Sequence, residues 1–93
     1  MTMSRIRINS DIVYREVDGS IVTLSLTSGA YVELDPVGSE IWRLIEQDGR
    51  RESVRQGLMT TFDLEDDTCD TELEAFVSML AAKGLVTVGV EED

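Results

Sequence analysis

Asp35-Pro36 divides this chain into two stretches with different hydrophobic periods. Upstream of it, side chains alternate with period two, the signature of strands; downstream, apolar residues recur at intervals of three and four, the signature of helices. Proline has no N–H to give a ladder, yet its fixed φ suits the first turn of a helix, and an aspartate just before it can cap that helix. A chain that makes a run of strands and then a run of helices belongs to the segregated α+β class rather than to alternating βαβ folds.

The strand half begins with Asp11 to Val17, turns at Asp18-Gly19, and returns through Ile21-Val22-Thr23-Leu24-Ser25-Leu26-Thr27, which predicts a hairpin. Val22, Leu24 and Leu26 share one face and Thr23, Ser25 and Thr27 the other, so the sheet is expected to bury one side only. Ser28-Gly29 makes a second turn into a third strand, Ala30 to Leu34, with Ala30, Val32 and Leu34 on one face and Tyr31 and Glu33 on the other.

The helical half opens with Pro36 to Gln47, whose apolar face is Ile41, Trp42, Leu44 and Ile45, with Trp42 as its core anchor; Asp48-Gly49 is expected to stop it in the left-handed conformation. A second helix, about Glu52 to Phe62, carries Val54, Leu58, Met59 and Phe62, with Gly57 in its middle at a cost of about 1 kcal/mol against alanine. A third runs to about Lys83 on the stripe Leu73, Phe76, Val77 and Leu80, and Gly84 ends it before a tail strand, Leu85 to Val90. Helical spacing assigns that stripe mainly to the core, with Phe76 and Met79 reaching its rim. The expected architecture is winged helix-turn-helix-like: a three-stranded antiparallel sheet followed by three helices. With 93 residues, 42% of them hydrophobic, it is one domain spanning 1–93.

Charge and missing residue types narrow the function. There are 19 acidic against 8 basic residues, a net charge of -11, which opposes nucleic acid and favours a basic or neutral partner. A DNA-recognition helix here would present Asp67, Asp70, Glu72 and Glu74 to phosphates, with Lys83 in return. The sequence has no histidine, so no Ser-His or Cys-His pair exists, and neither a metal cluster nor a phosphate loop is present. No catalytic residue and no cofactor are therefore expected. Asp63, Glu65 and Asp67 are spaced like calcium ligands, but the loop lacks the glycine and terminal glutamate such a site needs. The lone Cys69 cannot form an internal disulfide, and no stretch approaches the roughly 20 apolar residues that span a bilayer; a cytoplasmic protein without membrane contact is expected. Arg50, Arg51 and Arg55 form a small basic patch, a candidate dock for an acidic enzyme.

The third strand ends a meander and so leaves an edge of unpaired N–H and C=O groups, a template for an added strand. Each added hydrogen bond contributes about 0.5–1.5 kcal/mol net, while ordering a peptide costs about 1–2 kcal/mol per residue. Affinity must therefore also come from apolar pockets, with Tyr31, Phe76 and Met79 as candidate walls and the acidic residues near the third helix attracting Lys or Arg.

Gly29-Ala30-Tyr31-Val32-Glu33-Leu34-Asp35 leading into Ile41-Trp42, followed by Glu74-Ala75-Phe76, Leu80 and Gly84-Leu85, resembles the PqqD-like family, the RiPP recognition elements. The resemblance runs from about Asp11 to Val86, and a free-standing copy of this size looks most like the leader-binding proteins of lasso-peptide clusters. It implies that the leader of a ribosomally made precursor peptide adds to the third strand and lies against the third helix. Carried onto this chain, the groove is Ala30, Tyr31, Val32, Glu33 and Leu34 on one wall and Asp70, Glu72, Leu73, Phe76, Met79, Leu80 and Lys83 on the other. The implied partners are that precursor and a separate leader peptidase or other modifying enzyme. The family's usual Asn after the strand Leu is Asp35 here, which keeps the capping role, and the connection before the second helix is shortened. The alternatives are a PqqD-type peptide chaperone for quinone cofactor biosynthesis and an acidic protein-binding scaffold; charge argues against a DNA-binding winged helix.

Overall fold

The computed structural model describes residues 3–91. The chain forms β1 (Met3–Ile8), β2 (Ile12–Val17), β3 (Ser20–Ser25), β4 (Tyr31–Glu33), α1 (Pro36–Gln47), α2 (Arg51–Phe62), α3 (Asp66–Ala82) and β5 (Val86–Glu91). An antiparallel meander, β2-β3-β4, is the expected three-stranded sheet; β1 and β5 pair with each other in a separate antiparallel ribbon. Asp18 and Gly19 both take positive φ, 53° and 84°, the left-handed pair that turns a tight hairpin without splaying its strands. Asp35 caps α1 as anticipated, its Oδ1 accepting from the Gly38 N–H at 2.6 Å.

β1 was not anticipated. Its Ile6-Ile8 alternation is short, and its ladder partner lies at the far end of the chain, with Ile6 opposite Val88 and Ile8 opposite Val86. Asn9 ties the ribbon to the end of α3: its Nδ2 donates to the Gly84 carbonyl at 2.8 Å, and its Oδ1 accepts from the Thr87 hydroxyl.

This strand also corrects the expected end of α1. Asp48 is extended rather than left-handed, at φ -157° and ψ 106°, and Gly49 is not among the positive-φ residues. Gly49 is needed for a different reason: its carbonyl accepts from the Ile6 N–H at 2.7 Å, and a Cβ there would collide with the Ile6 carbonyl oxygen. Gly57, unfavourable on propensity, sits where a Cβ would lie 2.5 Å from Leu44 Cδ2, so it lets α2 close on α1. At the end of α3 the expected stop is present: Gly84 takes φ 76°, and the Leu85 N–H returns to the Leu80 carbonyl at 2.9 Å.

The buried residues form one cluster centred on Trp42, Ile41, Val54, Leu58, Leu73 and Leu80. Tyr14 meets Trp42 edge-on, with ring centroids 5.2 Å apart. The sheet turns Ile21, Thr23 and Ser25 toward this core and leaves Val22 and Leu24 half-buried and Leu26 exposed. The inward hydroxyls of Ser39 and Thr23 are satisfied. Ser39 Oγ accepts from the Ile21 N–H and donates to the Leu34 carbonyl, and Thr23 Oγ1 donates to the Val32 carbonyl. Ser39 thereby fastens the first turn of α1 beneath β3 and the end of β4. Among the described residues, no helix is long and apolar enough to cross a membrane.

Candidate functional site

The geometry of the open edge follows from hydrogen-bond parity. Ser25 N–H donates to the Ala30 carbonyl at 3.0 Å and Leu34 N–H to the Ile21 carbonyl at 2.8 Å, so the even-numbered residues of this segment face β3. In an antiparallel ladder the intervening residues point both backbone groups the other way. Tyr31 and Glu33 therefore present two N–H and two C=O groups along the free edge of β4, while their side chains stand on the outer face of the sheet. Ala30 and Leu34 have backbone groups already engaged: Ala30 N–H donates to Ser28 Oγ, and the Leu34 carbonyl accepts from Ser39. Val32 turns inward, half-buried, and Leu34 is 2% exposed.

One flank of α3 reaches the first turn of α1, just past the end of β4. At 3.6 residues per turn, Glu72, Phe76, Met79 and Lys83 fall within about 60° of arc. Phe76 is seated on the first turn of α1, where a Cβ on Gly38 would lie 2.5 Å from its Cε1. That contact brings α3 next to the residues directly following β4. Phe76, Met79, Val32 and Val37 are all partly buried against the core, so each keeps some apolar surface open to solvent; Glu72 and Lys83, on the same arc of α3 as Phe76 and Met79, are exposed. The turn at Val37-Gly38 belongs with these residues although nothing in the sequence marked it, because only the packing of Phe76 reveals why that glycine is there.

Other residues assigned to the groove from the sequence sit elsewhere. Leu73 and Leu80 are 1% and 0% exposed, so they support Phe76 and Met79 from within the core and offer no surface to a ligand. Asp70 lies on the opposite flank of α3, where its Oδ1 accepts from Arg55 Nε at 2.6 Å. Arg55 also approaches Asp66 at 3.4 Å, Glu74 pairs with Arg51, and Arg50 reaches Asp48 at 2.9 Å. The basic patch read from Arg50, Arg51 and Arg55 is thus spent on the protein's own carboxylates. Cys69 is fully buried, and burial raises its thiol pKa against a smaller lowering by Arg55, so it lacks the thiolate character of a reactive cysteine.

An antiparallel meander whose last strand, β4, is an edge, followed by three helices, defines a winged-helix-like α+β domain. The chain belongs to the PqqD family: the family model for coenzyme PQQ synthesis protein D matches residues 20–86. Among solved structures it is similar to TbiB1, determined in complex with the TbiA(beta) leader peptide, at 32% identity and a TM-score of 0.82, covering 86% of this chain and 93% of that one. It also shares its fold with a lasso peptide synthetase B1 complexed with the leader peptide, at 22% identity and a TM-score of 0.79, covering 89% of this chain and 98% of that one. No curated protein gives a significant match.

Proposed function

We propose that this protein binds the leader segment of a ribosomally synthesised precursor peptide by adding it as a strand to β4, and delivers it to a separate leader peptidase or other modifying enzyme of lasso-peptide biosynthesis. The observation that carries the reading is the pairing of an open edge at Tyr31 and Glu33 with the apolar strip Val32, Val37, Phe76 and Met79. The TbiB1 structure, a relative at 32% identity holding a leader peptide, supports the choice of ligand. The protein itself does no chemistry, works as one domain in the cytoplasm, and acts by raising the effective concentration of the precursor at the enzyme.

The test is fluorescence anisotropy with the leader peptide of the precursor gene adjacent to this one, comparing wild type, Tyr31→Ala and Met79→Asp after circular dichroism has shown each to be folded. Micromolar or tighter binding that weakens in both variants is the expected result. Binding of equal strength in all three would discard the groove, and absence of binding to the cognate leader would favour an acidic scaffold. The match to the coenzyme PQQ synthesis protein D model keeps a second reading in view, a peptide chaperone for quinone cofactor biosynthesis. A precursor beside a peptidase and a cyclase supports the first; a radical enzyme and a dehydrogenase as neighbours support the second.

A further inference from the structure

The edge of β4 fixes more than the fact of pairing; it fixes which positions of an added strand face which environment. We infer that Glu33 selects a lysine or arginine in the bound peptide, immediately N-terminal to the apolar residue that enters the groove. This rests on the edge-strand reading above and specifies its ligand.

Residues directly opposite one another in a sheet project to the same face. Because Tyr31 and Glu33 carry the open backbone groups, the peptide residues opposite them form the hydrogen-bonded pairs and project outward, beside the Tyr31 and Glu33 side chains. The residue between them lies opposite Val32 and projects inward, toward the strip of Val37, Phe76 and Met79. If the peptide continues the antiparallel order of the meander, the position facing Glu33 comes first, the inward position second and the position facing Tyr31 third.

The chemistry of the outer face assigns each position. One cross-strand row reads Arg15, Val22, Glu33, and the next place in it belongs to the peptide. Glu33 is exposed and, among the described residues, enters no ion pair, whereas the arginines of the helices are engaged with carboxylates of their own. Arg15 stands two strands away, across Val22. A peptide cation opposite Glu33 would stand one strand closer to it than Arg15 does, and a carboxylate there would meet a like charge in a chain of net charge -11. The parallel row reads Val13, Leu24, Tyr31, and these three side chains line a shallow depression of about 360 Å³. Its continuation by an apolar or aromatic peptide residue buries the exposed Tyr31 ring. The recognised sequence is thus basic, apolar, then apolar or aromatic, on consecutive residues.

The experiment selects a displayed library of random heptapeptides on the full-length wild-type protein and on Glu33→Lys, then measures synthetic consensus peptides by anisotropy. Wild type is expected to enrich Lys or Arg directly before an apolar residue, and Glu33→Lys to enrich Asp or Glu at that position with the apolar residue retained. For the wild-type consensus peptide, Glu33→Lys should weaken binding by about two- to fivefold, with a Lys→Glu change in the peptide restoring it. Enrichment of the apolar position with no charge preference, or a preference that Glu33→Lys leaves unchanged, would overturn this inference while leaving edge-strand binding intact. A charge preference located after the apolar residue would overturn the antiparallel order. Failure of either protein to enrich any peptide would overturn the edge-strand reading itself.

Discussion

On the flank of α3 that faces α2, Asp70 and Glu74 are matched by Arg55 and Arg51. On the flank that reaches the first turn of α1, Glu72 shares its arc with Phe76 and Met79 and, among the described residues, enters no ion pair. Both flanks carry carboxylates, yet those toward α2 are closed by the protein's own cations, while Glu72 on the other shares its arc with the partly buried Phe76 and Met79. Between them runs the buried stripe of Cys69, Leu73, Val77 and Leu80. An acidic run is therefore not one feature: its meaning changes within a single turn of helix, according to what packs alongside.

The largest expected effect separates that stripe from the groove flank. Leu80→Ala, at 0% exposure, should destabilise the fold by about 2–5 kcal/mol in chemical denaturation, through lost burial and the cavity left behind. If it unfolded no more easily than wild type, the assignment of Leu80 to the core would be wrong.

Met79→Asp should do the converse. The folded state should persist, while leader affinity falls by about tenfold or more, because a charge replaces part of the apolar strip. Equal leader titration curves for the variant and wild type would break the comparison between the flanks. Gly38→Ala sharpens it further: the new Cβ meets the Phe76 ring and must displace it, so leader affinity should drop although neither residue is charged and neither belongs to β4.

On the α2 flank the changes are smaller. Arg55→Ala releases Asp70, Asp66 and Glu52 from their shared cation and should lower the melting temperature modestly, with the difference shrinking as salt is added and leader binding unchanged. A large loss of leader binding in this variant would mean that the two flanks are not independent.

The smallest effect is in acid. Arg50 holds the Asp48 carboxyl below the usual carboxylate range, first through its guanidinium and then through its backbone N–H. With the folded pKa depressed, the contribution is present above the unfolded value of about 4 and is lost as pH falls toward the lower folded value. Asp48→Asn should flatten that part of the acid denaturation profile, and an unchanged profile would show that the pair does not couple to folding.

Much of this was legible along the chain. The turn at Asp18-Gly19, the cap at Asp35, the bounds of α1 and the stop at Gly84 all follow from local chemistry, since each depends on residues within a few positions of one another. β1 escaped because its partner is β5, and the ends of a chain declare nothing to each other locally. Gly49 was given the wrong reason for the same cause: its requirement is imposed by the backbone of Ile6, more than forty residues away.

The sequence by itself determined the order of elements from β2 to β5, the class of fold, the presence of an edge strand before α1 and the net charge of -11. Periodicity, capping and composition are sums over neighbours, and neighbours are what a sequence displays. Only the tertiary structure decided that Asp70 belongs to Arg55, that Gly38 makes room for Phe76, and that Tyr31 and Glu33 rather than their neighbours hold the open backbone groups. Those facts depend on which surfaces meet and on ladder register, and a shift of one residue in register would have exchanged the two faces of β4 and the two sets of hydrogen bonds together.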